Sequence, residues 1–336
     1  MTLPDSSRPA TIADVARTAG VSRATVSRVV NRHATVDPRL AERVRTAMSD
    51  LAYRPSETAR NLSLGRTNTV AVVVPDLGNP MFQAILQGAT RAAAADGYQI
   101  LVADTQEDAD AEMRIAIDAR RRCDALLLCA PRMDDDDLAT VLRQGGPVAL
   151  VNRPVPETAV PQVSMDYRHA VGLVADHLAE LGHRRILYLG GPIASASNRL
   201  RLAGLDDAAR RHAGMVIDRR EVGWSLDAGW DVADDVLSSD ATAVIAFNDL
   251  VAIGLLSRLD DLGVPVPQRI SVVGVDDIPF ARFTRPHLTT VSVPQDRLGT
   301  LAWEHVHGAL TGAPAAEPVW LRGELVRRHS TGPAST

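Results

Sequence analysis

The sequence predicts two kinds of structure in one chain: an all-α head over residues 1–55 and an α/β body of two lobes, each a parallel sheet flanked by helices. Three observations predict it. Up to residue 51 the apolar residues recur at helical spacing. From residue 69 onward, short continuous apolar runs such as Val70-Ala71-Val72-Val73-Val74 alternate with amphipathic stretches, as strands covered on both faces do. That pattern restarts near Met165-Asp166, with too many strands for one ordinary sheet.

In the head, Thr11 stands where an N-cap belongs, and Asp14 follows where a carboxylate favours a helix start. Ile12, Val15, Ala16 and Ala19 fall at i, i+3, i+4 and i+7, the stripe of a helix packed on one side. Gly20 stops that helix in the left-handed conformation glycine adopts cheaply. Ser22 caps a second helix whose Val26, Val29 and Val30 face in, leaving Arg23, Ala24, Thr25, Ser27 and Arg28 facing out. Asp37-Pro38 opens a third helix, with Leu40, Val44, Ala47, Met48 and Leu51 as its expected inner face. Tyr53-Arg54-Pro55 ends it, because a residue before proline is pushed out of the helical region. Residues 56–66 then read as a short, weak helix or linker, too short to be stable alone.

Two helices around a glycine turn make a helix-turn-helix, whose second helix enters a DNA major groove. The plain alternative is a helical hairpin with no nucleic-acid partner. Residues 1–66 hold eleven arginines against six Asp and Glu, a net of +5; the whole chain is −5, which leaves −10 on residues 67–336. A cationic head on an anionic body points the head at phosphate. Charge alone would fit any solvated face. Its coincidence with the helix-turn-helix favours DNA.

The motifs D-V-A-x-x-A-G-V-S from Asp14, T-V-S-R-V-V-N from Thr25 and Y-x-P-x-x-x-A-x-x-L from Tyr53 are specific. Over residues 11–62 the chain resembles the lactose/galactose repressor family of bacterial transcription regulators. The resemblance implies that residues 56–66 become a hinge helix on operator DNA, with Leu62 wedged into a minor-groove step that it kinks. Ser56 departs from the asparagine common there, and Glu57 puts a carboxylate beside phosphate; the Ala59/Leu62 pair is retained. The expected DNA-binding set is Thr11, Ser22, Arg23, Ala24, Thr25, Ser27, Arg28, Asn31 and Tyr53, with Ala59 and Leu62. Arg23 and Ala24 are expected to set base preference and Arg28 to reach a guanine edge.

In the body, further apolar runs at residues 100–103, 125–128, 148–151, 186–189, 243–247 and 271–275 read as strands, and residues 82–95, 170–181 and 250–262 as helices. Such alternation gives βαβ units with right-handed crossovers. The resemblance continues through V-N-R-P, H-L-A-E-L-G-H-R-R-I, R-L-R-L-A-G, F-N-D and S-V-V-G-V-D-D. It implies a periplasmic-binding-protein-like effector domain over residues 67–336. One subdomain spans about 67–165 and 296–322, the other about 166–295 and 323–336, with later crossings near residues 293–295 and Gly323.

Ligands of open parallel sheets bind beyond the carboxyl ends of strands. Asp76 and Phe82 follow the first strand, and Asn152, Asn248-Asp249 and Asp276 follow later ones; Arg201 and Trp224 come from loops or helix starts on the same side. Carboxylate, amide and guanidinium groups around an aromatic plate suit a sugar, whose hydroxyls donate and accept while its C–H face stacks. The resemblance implies that Arg201, Trp224, Asn248, Asp276, Asn152 and Gln295 contact effector. Each also has a structural use: Asn248 or Asp276 as a cap, Arg201 in an ion pair, Trp224 in a lobe core.

Several chemistries are opposed. All 36 basic residues are arginine, so phosphate-loop, Schiff-base and general-base lysines are absent. The G-x-S-x-G elbow and H-E-x-x-H helix are absent too. Cys123 and Cys129 match no metal or redox spacing and read as small buried hydrophobes. The run from Asp134 to Asp137 reads as a helix N-terminus rather than a metal site. His305 and His307 do not share a helix face, and Gly190-Gly191-Pro192 lacks dinucleotide-loop spacing. No cofactor, metal or catalytic activity is expected. The longest apolar runs fall short of a membrane span and the N-terminus is polar, so no membrane partner is expected and the cytoplasm is.

The expected function is a sequence-specific DNA-binding regulator, a repressor released from a pseudo-palindromic operator by a small sugar or sugar derivative. A purine co-repressor is the runner-up, and a second aromatic facing Phe82 or Trp224 would favour the base. A sugar-binding enzyme on the same fold would need a nucleophile or acid/base pair; a secreted binding protein would not need the cationic head. Paired half-sites require a two-fold homodimer, which the resemblance places along the first lobe, including the helix after Pro80. Residues 329–336 carry no leucine heptad, so a dimer rather than a tetramer is expected.

Overall fold

The computed structural model describes residues 10–30, 36–53, 66–156 and 158–335. They form two compact units that divide between Thr67 and Asn68. Asn31, Ala59 and Leu62, and with them the expected hinge helix, lie outside the described residues.

The first unit contains α1 (Ile12–Ala19), α2 (Arg23–Val30) and α3 (Pro38–Asp50). Val15, Val26 and Val44 are fully buried at its centre, with Ala16, Ala19 and Ala47 beside them. Each buried valine contributes roughly 1.5–3 kcal/mol. The inner stripe of α3 runs through Ala41, Val44, Met48 and Leu51 at i, i+3, i+7 and i+10. Leu40, expected inside, is half-buried at the edge of that stripe and outside the cluster.

The second unit is built on two parallel sheets. The first takes β1 (Thr69–Val74), β2 (Gln99–Asp104), β3 (Ala125–Cys129), β4 (Val148–Val151), β5 (Gln162–Met165) and β11 (Val319–Leu321), in the order β11-β5-β4-β3-β1-β2. The second takes β6 (Arg185–Gly190), β7 (Val216–Glu221), β8 (Ala243–Ala246) and β9 (Ser271–Val273), in the order β7-β6-β8-β9. A short antiparallel pair, β10 (Thr290–Val291) with β12 (Leu325–Val326), lies beside β9 through a bridge from Val273 to Thr289.

Helices cover the sheets as right-handed crossovers demand. They are α4 (Pro80–Ala95), α5 (Ala109–Arg120) and α6 (Asp135–Arg143), then α7 (Tyr167–Glu180) and α8 (Ala196–Arg211). After them come α9 (Leu226–Asp231), α10 (Ala233–Leu237), α11 (Asp249–Asp261) and α12 (Gln295–Thr311). The chain leaves the first sheet after β5, returns to it in α12 and β11, and leaves again for β12. Helices α4 and α12 touch backbone to backbone: a Cβ on Gly299 would lie 2.0 Å from the Ile85 carbonyl oxygen. Only glycine permits that approach.

The two sheets share one apolar core cluster, with Val70, Val72, Leu127 and Val151 from the first and Ile186, Tyr188, Ile245 and Val273 from the second. Among the described residues no helix is long and apolar enough to cross a membrane.

Candidate functional site

In the head, Thr11 and Asp14 form a reciprocal capping box: Thr11 N donates to Asp14 Oδ2 at 3.0 Å and Asp14 N to Thr11 Oγ1 at 3.4 Å. The Thr11 hydroxyl and amide hold the Asp14 carboxyl below the usual range. Gly20 ends α1 at φ 61°, and Arg43 Nη2 donates to the Ala19 carbonyl at 2.6 Å, satisfying a carbonyl the helix end leaves open. Ser22 Oγ accepts from Thr25 N at 3.1 Å, capping α2. Ser22, Arg23, Ala24 and Arg28 are exposed, Thr25 and Ser27 half-buried, and Val26 buried. Arg17 and Arg45 are paired with Asp14 and Glu42, whereas Arg23 and Arg28 make no ion pair among the described residues. Tyr53 is half-buried against the head core. An exposed helix face with two uncommitted guanidinium groups, held by a small rigid core, is suited to reading base edges and phosphates.

In the second unit, the strand order reverses between β1 and β3 in the first sheet and between β6 and β8 in the second, the topological switch points at which open sheets bind ligands. The carboxyl ends of the two sheets enclose a narrow, nearly closed cavity. Phe82, Asn152, Arg201, Trp224, Asn248 and Asp276 line it together. Asp76 and Gln295 do not. Asp76 Oδ1 accepts from Gly78 N at 2.7 Å, closing its own turn as Asx residues do. In its place Asn79, buried, caps α4 and reaches the cavity. Gln295 stands behind the wall, its Nε2 donating to the Asp276 carbonyl at 2.6 Å.

Arg201 and Asp276 are each 2% exposed. The Arg201 guanidinium lies over two rings, 3.9 Å from the Tyr167 centroid and 4.5 Å from that of Phe247. Among the described residues its Nε and Nη1 have no hydrogen-bond partner, nor does Asp276 Oδ1. Buried polar atoms are nearly always satisfied, so an unfilled donor pair and acceptor around one cavity make it the candidate ligand site. Burial raises the Asp276 carboxyl to about 7, while Arg201 pulls it down. Ala130, Asn152 and Asp276 take φ values of 47°, 54° and 118°, positions that non-glycine residues seldom adopt and that gather at ligand sites.

Asn248 does two jobs: Oδ1 caps α11 by accepting from Val251 N at 2.9 Å, and Nδ2 donates to the Trp224 carbonyl at 2.9 Å. Asn152 Oδ1 accepts from Met165 N at 2.9 Å. Trp224 is half-buried in the loop before α9, outside the lobe cores. The sequence reading missed Glu107, Arg132, Tyr167, Ser197 and Phe247 in the lining. Phe247 carries Arg201 on its ring and is pressed by Gly191, where a Cβ would come within 2.6 Å.

The other clusters have structural work. Asp134 caps α6 through Asp137 N, and Asp135 pairs with Arg153 at 2.8 Å. His307 stacks on Trp303. Both cysteines are buried, and burial pushes the Cys129 thiol up to about 12. Among the described residues no group of three His, Cys, Asp or Glu could hold a metal.

Residues 11–56 match the model of bacterial regulatory proteins of the lacI family, and residues 175–331 match a periplasmic binding protein-like domain. The HTH-type transcriptional regulator GalR of Escherichia coli K12 is 35% identical over 334 residues, covering 97% of each chain. A lac repressor dimer bound to operator and the anti-inducer ONPF superposes with a TM-score of 0.84 at 28% identity, over 97% of this chain and 100% of that one. A CelR–cellobiose complex superposes with a TM-score of 0.71 at 30% identity, over 96% and 99%. With a helix-turn-helix head and a two-sheet ligand-binding body, the chain belongs to the lacI family of bacterial regulatory proteins and is a DNA-binding transcriptional regulator.

Proposed function

We propose that this regulator is a repressor that a neutral sugar or sugar derivative releases from its operator. The observation that carries the reading is the buried, unfilled set at the carboxyl ends of both sheets: Arg201 Nε and Nη1 as donors and Asp276 Oδ1 as acceptor. A sugar's vicinal hydroxyls supply both complements. The CelR structure contains cellobiose, which supports a carbohydrate over other effectors. A purine co-repressor stays the second reading: Arg201 covers Tyr167 and Phe247, but Phe82 and Trp224 also line the cavity.

The chain binds its ligand without transforming it, and works on chromosomal DNA in the cytoplasm. It acts as a homodimer on a pseudo-palindromic site, with Arg23, Ala24 and Arg28 toward base edges. Residues 56–66 act at the centre of that site, with Leu62 entering a minor-groove step. Ligand draws the two sheets of the body together, and a ligand shifts the equilibrium only by its differential affinity for the two states.

A thermal-shift screen of neutral sugars and purines on the full chain tests this. A sugar should stabilise the wild type and not Asp276→Ala. Stabilisation by purines alone would replace the sugar with a co-repressor.

A further inference from the structure

The first-sheet wall of the cavity holds a second guanidinium, and it is already committed. Arg132 Nε and Nη2 donate to the two carboxylate oxygens of Glu107, the second bond at 2.7 Å. The two side chains are 4% and 3% exposed. Arg132 Nη1 also donates to the Ala130 carbonyl at 2.7 Å, and its backbone N donates to Glu112 at 2.6 Å. Glu107 reaches this position from an unusual backbone. Gln106 and Glu107 are consecutive non-glycine residues at φ 54° and 59°, and the turn is held by Gln106 N donating to Asp104 Oδ1 and Glu107 N to the Pro75 carbonyl. Two left-handed residues in a row persist only where the surroundings enforce them.

The charged side chains of the cavity lining are Glu107, Arg132, Arg201 and Asp276, two of each sign. We propose that Glu107 is a specificity residue: by neutralising Arg132 it makes the first-sheet wall uncharged, so the site takes a neutral polyhydroxy ligand and rejects its phosphorylated form. Three of the five N–H donors of Arg132 are engaged, and the remaining two suit hydroxyl oxygens. A free guanidinium there would instead pair with a phosphate, for which arginine's fork is matched.

The inference rests on the sugar reading above, and the test separates the two. Wild type, Glu107→Gln and the double variant Glu107→Gln/Arg132→Gln are titrated calorimetrically with galactose, glucose, ribose and cellobiose, with the monosaccharides' monophosphates, and with inorganic phosphate. The titrations are run at about pH 8, where the Asp276 carboxyl is ionised. Wild type should bind a neutral sugar and neither its monophosphate nor inorganic phosphate. Glu107→Gln should gain affinity for both anions by roughly 10-fold or more, and the double variant, with no charge on that wall, should lose the gain. A wild type that binds monophosphate as tightly as the neutral sugar would overturn the proposal, as would a Glu107→Gln that gains no anion. If no sugar binds wild type, the sugar reading fails, and the inorganic phosphate arm still decides whether Glu107 masks Arg132. A melting curve for each variant shows that it is folded; should Glu107→Gln not fold, the wild-type comparison and the double variant carry the decision, and anion binding by either overturns the proposal.

Discussion

The guanidinium of Arg201 lies 3.9 Å from the centroid of the Tyr167 ring, so the first residue of α7 supports the cation proposed to hold the ligand. Tyr167→Leu removes that plate, and a desolvated cation–π contact is worth ~2 kcal/mol or more. Sugar affinity should fall about 30-fold by calorimetry, with operator affinity unchanged. Tyr167→Phe, which keeps the ring, should bind within a few-fold of wild type.

Asp276 predicts a pH dependence. Its carboxyl is raised to about 7 by burial, above the unfolded value of ~3.9. The folded state therefore holds this proton more tightly, and its contribution to stability is lost as pH rises from about 4 to about 7. Asp276→Asn removes that loss. Without ligand, its melting temperature should gain on wild type as pH goes from about 5 to about 8. Sugar hydroxyls donate to the ionised carboxylate, so wild-type affinity should fall as pH drops below about 7. A flat affinity profile would exclude this role.

Gly20 holds φ 61°, and a Cβ there would meet Arg43 Nη2 at 2.7 Å. Gly20→Ala should destabilise the head by ~1–2 kcal/mol and weaken the Arg43 bond to the Ala19 carbonyl. Proteolysis within residues 10–53 should quicken and operator affinity fall, while sugar affinity measured by calorimetry stays at the wild-type level.

The exposed pair Arg23 and Ala24 opens the recognition helix. Replacing both should redirect the preferred operator in a binding-site selection, each good base contact being worth ~1–3 kcal/mol. Affinity for random DNA should change little. An unchanged base profile would remove these residues from direct readout.

Much of this architecture is legible in the sequence because apolar runs and strand-end polar residues coincide. Asn152, Asn248 and Asp276 each follow a buried strand, so their positions follow from the chain alone. Asp76 has the same address and a different use, since its carboxylate closes a local turn, which spacing does not reveal. Strand β7, with Ile217 its only residue that is not exposed, is an edge strand and leaves no apolar run. Glu107 and Arg132 stayed hidden because their pairing depends on two left-handed residues and spans a sequence separation of 25. Tyr167 was hidden because an aromatic at a helix start looks like core.

The central claim is that filling the body's cavity loosens the head's hold on DNA. Fluorescence anisotropy of the full-length protein on its selected operator, with and without a stabilising sugar, tests it most directly. The account predicts operator binding weaker by roughly 5- to 150-fold with sugar, and no change for Asp276→Ala. Operator affinity that is unchanged or tightened by every sugar that binds would contradict it.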